Sequence, residues 1–320
     1  MSGRVISESE IREAIAAISP RRLIEIIEQG FVSHSSGRTV VPPIAEMSFD
    51  TPPGDVHVKY GYLLDDPCYV IKIASGFYDN PERGLLVSQG MMLVFDRTTG
   101  VPLAILLDNG YLTRIRTAVA GAIAAKWLAP TKPRCIGIVG TGVQARLQLK
   151  WLGPVVDQRE VLVLSRSPQG ASAYVRDMGE VGFDVSIAKD ARDLGQNCDL
   201  VITTTPSKEP LLHVDDVRLG THITAMGSDT MHKQELDPAI LGRAEVVVAD
   251  SREQARVRGE IAHALRRKTI DEGRVLELGD VIAGKSRGRT SNRDITVADL
   301  TGVAVQDIQI AKAVCSHLGV

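Results

Sequence analysis

The chain has 320 residues, 44% of them hydrophobic, and a formal net charge of -2. That length buries a sizeable core and favours two domains over one. The near-balanced charge, with no basic block, excludes the electrostatic footprint of a nucleic-acid or membrane-surface binder. No stretch is apolar for long enough to span a bilayer, and the first ten residues lack the apolar core of a signal peptide. The four cysteines, Cys68, Cys135, Cys198 and Cys315, are scattered with no C-x-x-C spacing. A cytoplasmic protein with buried free thiols and a small-molecule partner is the expectation.

Residues 40–58, 69–74, 91–95 and 103–107 read as strands with no helices between them, which predicts a separate, largely antiparallel unit. In the second of these runs, Cys68-Tyr69-Val70-Ile71-Lys72-Ile73-Ala74, period-two alternation puts Lys72 on one strand face with Val70 and Ala74. A desolvated lysine there suits carboxylate binding or proton transfer, although an edge lysine that protects a strand has the same pattern. His57 and Lys59 share one face of an earlier strand, where two polar side chains face water or line a cavity. Arg116 stands where a loop enters a helix of small residues at 117–128, placed to clamp a carboxylate with parallel hydrogen bonds. Arg114 could do the same. The prolines at 130 and 133 close that helix and predict a domain boundary.

From 134 onward, short β-branched runs at 134–139, 160–164, 183–187, 199–205, 221–226 and 245–249 alternate with helical or loop segments, as in a parallel, doubly wound sheet. The first run leads into Gly140-Thr141-Gly142-Val143-Gln144-Ala145 and a helix over 143–152. This is the strand, glycine turn and helix of a dinucleotide site: Gly140 permits the turn, Gly142 lets backbone approach a pyrophosphate, and Ala145 packs the helix on the strand. At the end of the second run, Ser165, Arg166 and Ser167 replace the acid that would bind a ribose 2′-hydroxyl, which favours NADP(H) over NAD(H). Asp229, in Gly227-Ser228-Asp229-Thr230, follows a strand at its ligand-binding end and is a candidate acid or base. A turn aspartate that caps Lys233 or a following helix is the equal alternative. The remaining histidines show no metal-ligand spacing, so no metal site is expected. A last helix spans about 301–318.

Taken in order, Arg38-Thr39-Val40-Val41-Pro42, Lys72, Arg116-Thr117-Ala118, the Gly140–Ala145 turn, Gly227-Ser228-Asp229 and Thr301-Gly302-Val303-Ala304-Val305-Gln306-Asp307 resemble the ornithine cyclodeaminase and μ-crystallin family over nearly the whole chain. The resemblance implies an α/β protein with a Rossmann domain at 119–298, and an α+β dimerisation and substrate domain from 1–118 and 299–320. It implies that Arg38, Lys72 and Arg116 hold a substrate carboxylate and that Asp229 handles the amino group or a proton. It also implies a cofactor site drawn from Thr117, Gly140, Thr141, Gly142, Val143, Gln144, Ser165, Arg166, Ser167, Thr204, Thr205, Met226 and Gly227. Through 57–62 and 73–81 the chain looks most like the cyclodeaminase-like proteins of bacterial ectoine-utilisation clusters. The family's cyclodeaminases carry a glutamate near the His57 position followed by Met-Pro, and this chain has neither, which puts ornithine in doubt. The expected function is that of a homodimeric NAD(P)-dependent oxidoreductase acting on the α-carbon of an amino or imino acid. The alternatives are a true cyclodeaminase that releases ammonia from a diamino acid and a μ-crystallin-like binding protein without turnover. Retention of Lys72, Arg116 and Asp229 together argues against the last.

Overall fold

A computed structural model describes residues 3–320. The chain divides into two compact units, one made of residues up to Arg116 together with Val303–Val320, the other of Thr117–Gly302.

In the first unit the described residues form a seven-stranded sheet. Strands Thr39–Val40, Pro53–Leu63, Cys68–Phe77, Ser88–Asp96 and Pro102–Leu106 follow one another antiparallel, Ala45–Asp50 pairs beside Pro53–Leu63, and Arg4–Ile6 adds a parallel edge. The antiparallel prediction holds, with two differences. The run 40–58 is broken into separate strands by the turn at Thr51-Pro52, and two helices, Glu8–Ala17 and Pro20–Ser35, precede it. Their start signals are local: Ser7 forms a capping box with Glu10, and Ser19 caps a helix that opens with Pro20. The last helix, Ala304–His317, packs on Pro20–Ser35 and on strands Pro53–Leu63 and Cys68–Phe77. It is buried almost all round, with Val305, Ile308, Ile310, Ala311 and Val314 in the core.

In the second unit eight parallel strands run in the order Asp184–Ile187, Glu160–Leu164, Ile136–Val139, Leu200–Thr203, His222–Ala225, Thr296–Asp299, Val246–Ala249, Val275–Glu277. The central strands are buried on both faces, as a parallel sheet between helical layers requires. The direction of winding reverses between Ile136–Val139 and Leu200–Thr203, so the crevice outside their carboxyl ends is the place where an open α/β sheet takes a ligand. Two strands of this sheet escape the sequence reading, Val275–Glu277 and Thr296–Asp299, the latter short and half polar; a separate two-stranded pair, Lys208–Leu212 with Gln234–Leu236, escapes it as well. The boundary also differs from the proline signal. Helix Tyr111–Leu128 starts six residues before 117, and the division falls within it, because Ala125 on its second half packs with Ile136, Ile138 and Leu149 of the parallel unit. Close packing there depends on Gly121, whose missing Cβ would overlap the Gln148 amide.

Candidate functional site

The second unit carries the glycine turn. Gly140 has φ +108°, open to glycine and strained for other residues. A Cβ there would also stand 2.8 Å from Thr204 Oγ1. Gly142 is the N-cap of helix Val143–Leu152, extended, with no side-chain cap, and a Cβ built on it meets nothing within 4 Å. The open space beside Gly142, at the N-terminus of this helix, suits a pyrophosphate both sterically and through the helix dipole. Ala145 is buried and its carbonyl accepts from the Tyr174 hydroxyl at 3.0 Å. Gln148 anchors the helix by donating to the Thr117 carbonyl at 3.1 Å.

The other positions expected around a cofactor lie at neighbouring strand ends. Thr141 and Ser165 share a hydroxyl contact at 3.3 Å, while Ser167 caps helix Pro168–Gly179 through the Gly170 amide. Arg166 is exposed. Thr204 is tied back to the Val139 carbonyl through both its amide and its hydroxyl. Met226 donates its amide to the Thr203 carbonyl. Thr205 and Gly227 converge on one buried carboxylate, Glu235, which sequence reasoning missed. No local pattern in Gln234-Glu235-Leu236 signals it, since its partners lie at the ends of two other strands. Asp229 is half exposed and its Oδ1 accepts from Lys233 Nζ at 2.7 Å, the turn-type pairing.

The first unit carries a buried charge cluster. Lys72, Arg116 and Asp307 are 2%, 5% and 1% exposed. Lys72 Nζ stands 2.9 Å from Asp307 Oδ2, and Arg116 Nε stands 2.9 Å from Asp307 Oδ1. Arg116 Nη1 also donates to Gln306 Oε1 at 2.9 Å. Lys59 sits directly opposite Lys72 in the antiparallel ladder, on the same sheet face. Burial first, and then the Arg116 charge, pull the Lys72 ammonium down to about 7. Burial opposes the charge on Asp307, but Arg116 and Lys72 outweigh it and hold the carboxyl below its ordinary value. Asp307 closes the Thr301–Asp307 segment, where no local pattern gives it a role.

The cluster also separates Arg116 from Arg114, which donates to the Asn109 carbonyl at the start of the same helix. Arg38 is not brought to Asp307; it pairs with Asp65, both exposed. His57 stands between Glu46 at 3.3 Å and Asp55 at 3.4 Å.

Each cation of the cluster keeps donors beyond those given to Asp307 and Gln306: an ammonium has three and a guanidinium five. One buried carboxylate serves two buried cations, and bidentate recognition of a carboxylate is what arginine geometry favours.

The sequence pattern of the ornithine cyclodeaminase/mu-crystallin family matches residues 5–318. A relative named uncharacterized cyclodeaminase y4tK, from Sinorhizobium fredii, is 42% identical over 313 residues, 96% of this chain and 93% of its own. Among solved structures, an archaeal alanine dehydrogenase dimer with bound NAD is 34% identical with a TM-score of 0.90, covering 99% of this chain and 96% of that one. The iminosuccinate reductase of Paracoccus denitrificans in complex with NAD+ is 31% identical with a TM-score of 0.91, covering 100% and 97%. On these matches the chain is an enzyme of the ornithine cyclodeaminase/mu-crystallin family.

Proposed function

We propose that the protein is an NAD(P)-dependent oxidoreductase acting at the α-carbon of a small amino or imino acid. The observation that carries this reading is the buried Lys72–Asp307–Arg116 cluster, in a chain whose other unit ends its switch-point strands on a glycine turn shaped for a dinucleotide. In the unit that contains it, the cluster would hold the substrate carboxylate on Arg116 and Lys72, and so fix the α-carbon in a reactive orientation. A nicotinamide, when bound, gives or takes a hydride at that carbon. In the reductive direction the imine carbon gains the hydride and the nitrogen gains a proton. Lys72, held near 7, can supply that proton at neutral pH, and Asp229 is the second candidate. Arg38, paired with Asp65 at the surface, has the weaker support as a carboxylate holder.

The cofactor residues would be Thr117, Gly140 to Gln144, Ser165 to Ser167, Thr204, Thr205, Met226 and Gly227. Ser165 and the exposed Arg166 support NADP(H) over NAD(H), whereas the two solved relatives above carry NAD or NAD+. A homodimer built from the first unit is supported by its exposed Met47, Phe49, Tyr78, Leu85 and Leu86, and the archaeal alanine dehydrogenase is itself a dimer. Among the described residues no helix is long and apolar enough to cross a membrane, and the four cysteines are free, which agrees with a cytoplasmic site of action.

The test is turnover of NADPH and NADH with a panel of 2-imino acids, including pyruvate and oxaloacetate with ammonia and cyclic imines. Oxidation of the cofactor with formation of the matching amino acid is expected; inertness across the panel would refute the reading. The name of the Sinorhizobium relative supports a second reading, cyclodeamination. It predicts ammonia release from a diamino acid with catalytic NAD and no net cofactor consumption.

A further inference from the structure

We propose that Glu235 is a positioning residue for the nicotinamide cofactor: its carboxylate locks the two strand ends that would hold the cofactor, and through them the wall behind the glycine turn. This rests on the cofactor reading above. Glu235 is fully buried on a short strand, Gln234–Leu236, outside the eight-stranded sheet. Its Oε1 accepts from the Thr205 amide at 2.6 Å and the Thr205 hydroxyl at 2.8 Å. Its Oε2 accepts from the Thr203 hydroxyl at 2.6 Å and the Gly227 amide at 2.9 Å.

The need for such a residue follows from the sheet. Strands Leu200–Thr203 and His222–Ala225 run side by side in parallel, with Thr203 opposite Ala225. The last ladder bond is the Met226 amide to the Thr203 carbonyl, and beyond it the chains leave the sheet. The amides of Thr205 and Gly227 then have no strand partner, and a buried amide without one costs about 1–3 kcal/mol. Glu235 takes both. A Cβ on Gly227 would overlap the Thr205 carbonyl, so the two segments are pressed together where the carboxylate binds them. On its other side the Thr204–Thr205 segment meets the glycine turn: a Cβ on Gly140 would stand 2.8 Å from Thr204 Oγ1 and 3.1 Å from Thr205 Cγ2. Displacement of Thr205 is therefore felt at Gly140 as well as at Gly227.

The clamp is itself held. Glu260 accepts from the backbone amides of Glu235 at 2.7 Å and Leu236 at 3.2 Å, and Asp299 accepts from the Ile261 amide at 2.8 Å at the start of the helix that carries Glu260. Only a carboxylate meets the geometry at position 235. Four donors converge on it, and a glutamine offers one oxygen while turning its own NH2 toward two of them.

The test is Glu235→Gln, with Thr203→Val and Thr203→Ser as companions. Thr203 is fully buried within its strand, so these changes act on the clamp and not on a ligand surface. Glu235→Gln is expected to weaken NADPH or NADH binding, read by fluorescence titration, by about tenfold or more, with the KM for the amino or imino acid moving much less. Thr203→Val, which removes one donor, should weaken binding a few-fold, and Thr203→Ser should restore it. Hydrogen exchange at the Thr205 and Gly227 amides, measured without cofactor, should speed up in Glu235→Gln and Thr203→Val. Cofactor affinity within twofold of the parent in folded Glu235→Gln would overturn the proposal, whatever the loss in melting temperature. If Glu235→Gln does not fold, parental affinity in Thr203→Val would do the same. A parent that binds neither nucleotide would overturn the cofactor reading and this proposal with it, a result distinct from loss of binding in the variants alone.

Discussion

Asp307 and Glu235 are both carboxylates sealed from solvent, one in each unit, and their surroundings are opposite. Asp307 sits between two cations, Lys72 and Arg116, which hold it ionised and depend on its charge in turn. Glu235 sits among neutral amide and hydroxyl donors, with the acids Glu260 and Asp299 behind it. Burial drives the Asp299 carboxyl up to about 8, so this row does not carry full negative charge at neutral pH. The difference separates two uses of a buried acid. Beside cations it balances their charge; among neutral donors it sets the path of the backbone.

The sharpest way to break the comparison is Asp307→Asn, which leaves two buried cations without their anion. A loss of about 3–5 kcal/mol in unfolding free energy is expected by chemical denaturation, with activity falling too. The pH profile sharpens the same point. Reduction that uses protonated Lys72 should lose kcat/KM as pH rises through about 7. Asp307 is one of the groups that raise Lys72, so Asp307→Asn should move that limb to lower pH. Glu235→Gln, which touches no cation of the cluster, should leave it in place. An unmoved limb in Asp307→Asn would separate Lys72 from the titration.

Exposed cations should behave more mildly than buried ones. Arg166→Ala is expected to weaken NADPH by about 1–3 kcal/mol, the worth of a charge-assisted contact, and NADH far less. Equal losses in both titrations would remove the 2′-phosphate role. The smallest effect is expected for Lys233→Met. Its pair with half-exposed Asp229 is screened by water and contributes at most about 1 kcal/mol to stability. A larger loss in melting experiments would give Asp229 a structural duty that competes with proton transfer.

Much of this was legible in the chain because the signals are local. The turn from Gly140 to Ala145 states its geometry in six residues, and Lys72 in an alternating apolar strand announces a buried cation. Arg116 could not be told from Arg114, since both lie on the first turns of one helix and only the distant Asp307 distinguishes them. Pro130 and Pro133 end a helix, as read, but the units divide earlier, where core packing changes hands within it. Strand Thr296–Asp299 was hidden because a buried central strand bearing Thr and Asp at its ends lacks the apolar run that marks its neighbours. Glu235 was invisible for a related reason. Its meaning lies in where two other strands stop.

The first unit is assembled from both ends of the chain, and that orders its folding. Arg116 and its partner Gln306 are 190 residues apart, and Asp307 comes one residue later still. Until the helix Ala304–His317 emerges and docks, Lys72 and Arg116 have no counter-ion, and closing the core around them would strand two charges in an apolar interior. During synthesis the N-terminal sheet is therefore expected to stay open around Lys72 and Arg116 until the last helix is made. Docking of the last helix then delivers the apolar stripe and the neutralising carboxylate in one step, so burial and charge balance arrive together.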